Sequence, residues 1–89
     1  MIHRCPVFER WLMDGAVLID PVHQPGSLRL DGSAAALWEA LPTDGGAISR
    51  SDLVSQLTRH YDVSPERIAD DVAAAVESLV QHGAAGRRG

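Results

Sequence analysis

The sequence predicts an α+β domain in which a three-stranded antiparallel meander precedes three helices. Three observations carry this. Val7 to Leu12 and Ala16 to Ile19 are apolar and aromatic runs separated by Asp14-Gly15, a two-residue hairpin signal. Leu28-Arg29-Leu30 alternates like a strand and gives way, directly after Asp31-Gly32, to helical spacing. Two further helical stripes follow, each opened by a capping sequence at Ser49 and Ser64.

Between the second and third strands, Asp20-Pro-Val-His-Gln-Pro-Gly26 is read as a loop that turns the chain back, because two prolines and a glycine oppose regular structure. The third strand spans Ser27 to Leu30. If Leu28 and Leu30 pack inward, the backbone edge of this short strand must be paired, hidden or used, since unpaired N–H and C=O groups attract another chain.

Asp31 is expected to cap the first helix, whose Leu37, Trp38 and Leu41 share one face and which ends at Leu41-Pro42. Thr43 to Gly46 is a loop. Ser49-Arg-Ser-Asp52 reads as a capping box, with Asp52 reaching back, and opens a helix to His60 with a stripe of Leu53, Val54 and Leu57. Ser64-Pro65-Glu66 combines an N-cap, a proline at the first helical position and an acid in the first turn. The third helix then runs to the stop at Gly83. Ile68, Val72, Ala75, Val76 and Leu79 lie on one side, with Asp70, Ala74, Glu77 and Gln81 on the other. Ala84 to Gly89 is read as a frayed tail, so residues 1–85 make the domain and 86–89 a flexible end.

At 89 residues the chain has room for one domain and one small core, which leaves little space for a large internal active site. Eight arginines, no lysine and twelve acids give a formal charge of −4, the wrong balance for a polyphosphate surface. Cys5 stands alone and cannot form an internal disulfide, and neither a secretion signal nor a long apolar run is present, so the expected location is the cytoplasm.

Candidate chemistry is sparse. His3, His23, His60 and His82 lack the helical spacing that aims two imidazoles at one metal. Cys5 has no Cys-x-x-Cys or histidine context, and Ser33, Ser49 and Ser64 sit where helices begin, which capping explains. Asp70-Asp71 are adjacent on a helix and diverge by about 100°, as on a solvated acidic face. With no nucleophile–base pair and no ligand cluster, the chain is expected to be neither an enzyme nor a holder of a metal or cofactor.

Three strands and three helices with a hairpin are also the layout of a winged helix-turn-helix-like domain, which raises DNA binding as an alternative. The charges oppose it: between Ser64 and Gly83 stand Glu66, Asp70, Asp71 and Glu77 against Arg67 alone. No nucleic-acid or membrane partner is expected.

The run Leu30-Asp-Gly-Ser-Ala-Ala-Ala-Leu-Trp-Glu-Ala-Leu41, then Asp52-Leu-Val-Ser-Gln-Leu57, Tyr61-Asp-Val63 and Asp71-Val72 through Leu79 to His82-Gly83, resembles the PqqD-like family. The resemblance spans roughly Val7 to Ala85 and lies mostly in core and capping residues. Its members are RiPP recognition elements, small domains that bind the leader segment of a ribosomally made precursor peptide. The resemblance implies strand addition of the leader beside Ser27, Leu28, Arg29 and Leu30, with Ile68, Asp71, Val72 and Ala75 of the third helix forming the groove wall. It implies a stand-alone chaperone that presents a precursor to a separate radical SAM maturase or lasso-peptide protease and cyclase. Two departures stand out: Pro42 to Ala47 is longer than the family's glycine turn, and Ala75 and Ala84 are small where bulky apolar residues are common. A structural homodimer paired through the same edges is the further alternative.

Overall fold

The Asp14-Gly15 turn closes a hairpin, and the register of the chain follows from it. In the computed structural model, which describes residues 1–88, β2 (Val7–Trp11) pairs antiparallel with β3 (Val17–Pro21), from Val7 opposite Pro21 to Trp11 opposite Val17. The Asp14 Oδ1 atom accepts from the Ala16 N–H at 3.0 Å, and the Leu12 N–H donates to the Ala16 carbonyl at 2.8 Å. β4 (Leu28–Leu30) pairs with β3 on its other side, with Val17 opposite Leu30 and Ile19 opposite Leu28. The meander order β2-β3-β4 leaves β4 at an edge. Val17, Ile19 and Leu30 point into the core, Leu28 is half-buried, and Arg29 and Asp20 face outward.

The chain passes from β4 into α1 (Ser33–Ala40) through Gly32, which occupies the N-cap position at φ 57° and ψ −131°. That conformation is open to glycine and costly for any residue with a Cβ, so the glycine makes the abrupt junction possible. The expected cap by Asp31 is not formed: α1 has no side-chain cap, and the Asp31 carboxylate lies 3.7 Å from Arg29 Nε instead. The reason is geometric, since Gly32 has taken the N-cap position itself.

α2 (Arg50–His60) is capped by Ser49, whose hydroxyl accepts from the Asp52 N–H at 3.1 Å, while the expected return bond from the Asp52 carboxylate is absent. α3 (Pro65–Gln81) is capped by Ser64, which accepts from the Arg67 N–H at 3.4 Å. At its other end Gly83, at φ 76°, completes a Schellman turn: the Ala84 N–H donates to the Leu79 carbonyl at 2.9 Å and the Gly83 N–H to that of Val80 at 3.1 Å.

A second sheet was not legible in the sequence. Its strands are β1 (Ile2–Arg4), β5 (Ala47–Ile48) and β6 (Ala85–Arg87), in the order β5-β1-β6. The segment expected to fray after Gly83 is therefore ordered as far as described: Ala84 and Ala85 are buried, and β6 pairs with β1 through His3 opposite Gly86. A Cβ on Gly86 would lie 2.5 Å from the His3 ring, so glycine lets the imidazole lie against the strand.

One cluster forms the core: Val17, Ile19 and Leu30 from the meander, Leu37, Trp38 and Leu41, Leu53 and Leu57, and Ile68, Val72, Val76 and Leu79 from the helices, with Ile2, Ile48 and Ala85 from the second sheet. The apolar stripes read from the helical spacing are the buried faces.

Candidate functional site

The alternation of an antiparallel ladder fixes which backbone groups of β4 are free. Residues 12 and 16 form a hydrogen-bonded pair, so Arg10–Leu18 and Phe8–Asp20 do as well, and Leu18 and Asp20 spend their backbone groups on β2. Val17 and Ile19 then bond toward β4, to Leu30 and Leu28. Arg29, opposite Leu18, turns its N–H and C=O away from the sheet, whereas Ser27, expected to begin this strand, lies just before it in irregular structure. The sheet order places no strand on that side.

Side chains hold this edge in place. Arg29 Nη2 donates to Asp14 Oδ2 at 2.7 Å, and the Ser27 hydroxyl bonds Asp20 Oδ1. On the inner face Glu9 reaches across: its Oε2 accepts from Trp38 Nε1 at 2.6 Å, and Arg4 stacks 4.3 Å above the Trp38 ring while donating to the Trp38 carbonyl at 2.6 Å. Burial draws the Arg4 guanidinium below its ordinary value, with Glu9 and then Glu39 opposing the shift. This clasp ties the meander to α1. Neither it nor the Arg29–Asp14 bond was signalled by spacing in the sequence.

The expected wall on α3 is divided. Asp71 is exposed and Ala75 half-buried, but Ile68 and Val72 retain 2% and 1% of their accessibility. With Ser33, Leu37, Leu57 and Asp71 they line a crease too narrow for a water molecule. The crease joins the start of α1, immediately after β4, to the N-terminal half of α3, so Leu30, Ile68 and Val72 share one cluster while Leu28 and Ala75 pack on it from outside. Ile68 and Val72 are floor, not open wall.

Other depressions differ in kind. One of about 510 Å³ between α1 and α2 is lined by Ala36, Glu39, Ala40, Gln56, Leu57, His60 and Tyr61 and shares no residue with β4. Among the described residues no three His, Cys, Asp or Glu side chains converge as a metal site. Cys5 is a free thiol.

The family model described as coenzyme PQQ synthesis protein D (PqqD) matches residues 15–84, which runs from the hairpin turn to the end of the α3 stop. The chain belongs to the PqqD family. No curated protein and no solved structure matches it. PqqD-family proteins are non-catalytic accessory components of PQQ and ribosomal-peptide product biosynthesis, and the membership gives this chain a partner-binding role there. No helix among the described residues is long and apolar enough to cross a membrane.

Proposed function

We propose that this PqqD-family protein binds the leader segment of a ribosomally made precursor by antiparallel strand addition to β4 and presents it to a separate maturation enzyme in the cytoplasm, a radical SAM maturase or a lasso-peptide protease and cyclase. The observation that carries this reading is the outward-facing backbone of Arg29 on a strand that no other strand covers.

The magnitudes say what else the peptide needs. An added strand here gains about two to four backbone bonds of ~1 kcal/mol net each. Ordering the peptide costs about 1–2 kcal/mol per residue, and micromolar affinity needs roughly −8 kcal/mol. Apolar leader side chains must therefore bury surface against Leu28 and Ala75, and one of them enters the crease above Ile68 and Val72 as it widens. Asp71 stands at the mouth of that crease, where it selects against an acidic side chain.

Titration calorimetry of the precursor leader against Leu28→Asp and Asp44→Ala, both first shown to be folded, tests the reading. Leu28→Asp lowers affinity by about tenfold or more because a charge then faces the apolar anchor, whereas Asp44→Ala, in the exposed loop before β5, leaves it unchanged. Equal affinities for the two variants would remove β4 from the site.

A further inference from the structure

Three of the eight arginines, Arg50, Arg87 and Arg88, line a single cleft of about 290 Å³ with Met1 and Ile2, where the first residue of α2 meets β1 and β6. In a chain of formal charge −4 this is a local reversal of sign. The guanidinium groups are incompletely satisfied. Arg87 Nη2 bonds Glu77 Oε2 at 2.5 Å and Arg88 Nη2 bonds the Gly45 carbonyl at 3.0 Å, while Arg50 makes no side-chain hydrogen bond or ion pair among the described residues. Among the described residues the three guanidinium groups thus share one carboxylate partner, Glu77, which bonds Arg87 alone.

The backbone beside them is also open. The bonds from the Cys5 N–H to the Ala84 carbonyl at 2.9 Å and from the Arg88 N–H to the Met1 carbonyl at 2.8 Å set the β1–β6 alternation. Arg87, paired with Ile2 between those positions, therefore turns its own N–H and C=O away from β1, on an edge strand of the second sheet.

We infer that this cleft and edge form a second docking surface, for an extended acidic segment of a partner protein. Forked guanidinium donors match carboxylates in pairs, and the free Arg87 backbone supplies the ladder bonds that an extended chain, unlike a free ion, can use. A long polyanion fits poorly, because the eleven acids other than Glu77 repel whatever extends past the cleft. β6 and β4 lie in different sheets, so this surface and the leader edge succeed or fail separately.

The test titrates the whole protein with a short capped peptide of alternating glutamate and valine, its glutamine-for-glutamate analogue, and inorganic phosphate, reading affinity by fluorescence polarisation and contacts by NMR. The glutamate peptide is expected to shift the Arg87 amide and the side-chain signals of Arg50, Arg87 and Arg88, to weaken as salt is raised, and to lose about tenfold in affinity in Arg50→Gln. The Arg50 side chain makes no hydrogen bond or ion pair among the described residues, so that variant keeps its structure; Arg88→Gln, checked for an unchanged spectrum, adds to the loss. No binding, equal binding of the glutamine analogue, or unchanged affinity in Arg50→Gln overturns the inference. Phosphate that binds as tightly as the peptide and shifts the same signals overturns it in favour of a free-anion site.

Discussion

Arg29, at the centre of the edge strand β4, donates through Nη2 to Asp14 Oδ2 in the β2–β3 turn across 2.7 Å. The bond ties the free edge strand to the turn between the other two strands of the meander. Both side chains are about half exposed, and solvent screening leaves such a pair little weight in stability. Its role is to orient β4 more than to stabilise the fold. Arg29→Ala is expected to leave the urea midpoint nearly unchanged while weakening leader affinity by about threefold, because the strand loses its tether without losing its backbone groups. A large fall in the midpoint would show that the pair is structural.

The same carboxyl sets an acid dependence. Asp14 is held below its ordinary value, chiefly by the Ala16 N–H and then by Arg29, and Glu77 is held down by Arg87. In each case the unfolded chain binds the proton at a pH where the folded chain does not. The resulting stability is present above the ordinary values of 3.8 and 4.5 and is lost as pH falls through the depressed folded values. Urea midpoints are therefore expected to be flat from about pH 7 to about pH 5 and to fall below about pH 4, with Asp14→Asn and Glu77→Gln flattening the fall. A midpoint that rises on acidification contradicts the sign.

Gly32 answers why a three-residue strand runs straight into a helix. At φ 57° and ψ −131° it turns the chain without a loop, and nothing lies within 4 Å of where its Cβ would be, so a substitution meets strain and no clash. Gly32→Ala should cost about 1–3 kcal/mol in urea denaturation and weaken leader binding by displacing β4. An unchanged midpoint would remove the strained junction from the account.

Removing residues 85–89 tests the second sheet. The truncation deletes β6 and uncovers Ala84, Ile2 and the His3 ring, and should cost about 2 kcal/mol or more. A truncated chain with full stability would mean that β6 adds nothing.

The contrast between these elements explains what the sequence revealed. The hairpin was legible because Asp14-Gly15 is a local signal, and α2 and α3 because Ser49 and Ser64 cap them next to apolar stripes that turned out to be buried. β1, β5 and β6 were not, because Ile2-His3-Arg4, Ala47-Ile48 and Ala85-Gly86-Arg87 are too short to show alternation, and a glycine-centred run has no preference of its own for a strand. They exist through pairing of β1 with segments more than forty residues away, mid-chain for β5 and near the C-terminus for β6, which no window sees. At the candidate site, spacing set the apolar Ile68, Val72 and Ala75 apart from the acidic face that carries Asp71, while their grouping as one groove wall came from the family resemblance, and the depth of Ile68 and Val72 was not legible because it depends on how α1 and α2 close over them.

The central claim is that a peptide strand pairs with the free edge of β4, and the Arg29 amide tests it most directly. In the free protein the ladder alternation leaves the Arg29 N–H unbonded while Leu28 and Leu30 bond to β3. Site-resolved hydrogen exchange should therefore find Leu28 and Leu30 protected and Arg29 exchanging fast; saturating leader should slow Arg29 by about tenfold or more and barely change its neighbours. An Arg29 amide that exchanges at the same rate with leader bound, while protection appears on α2 or at β6, contradicts strand addition at this edge.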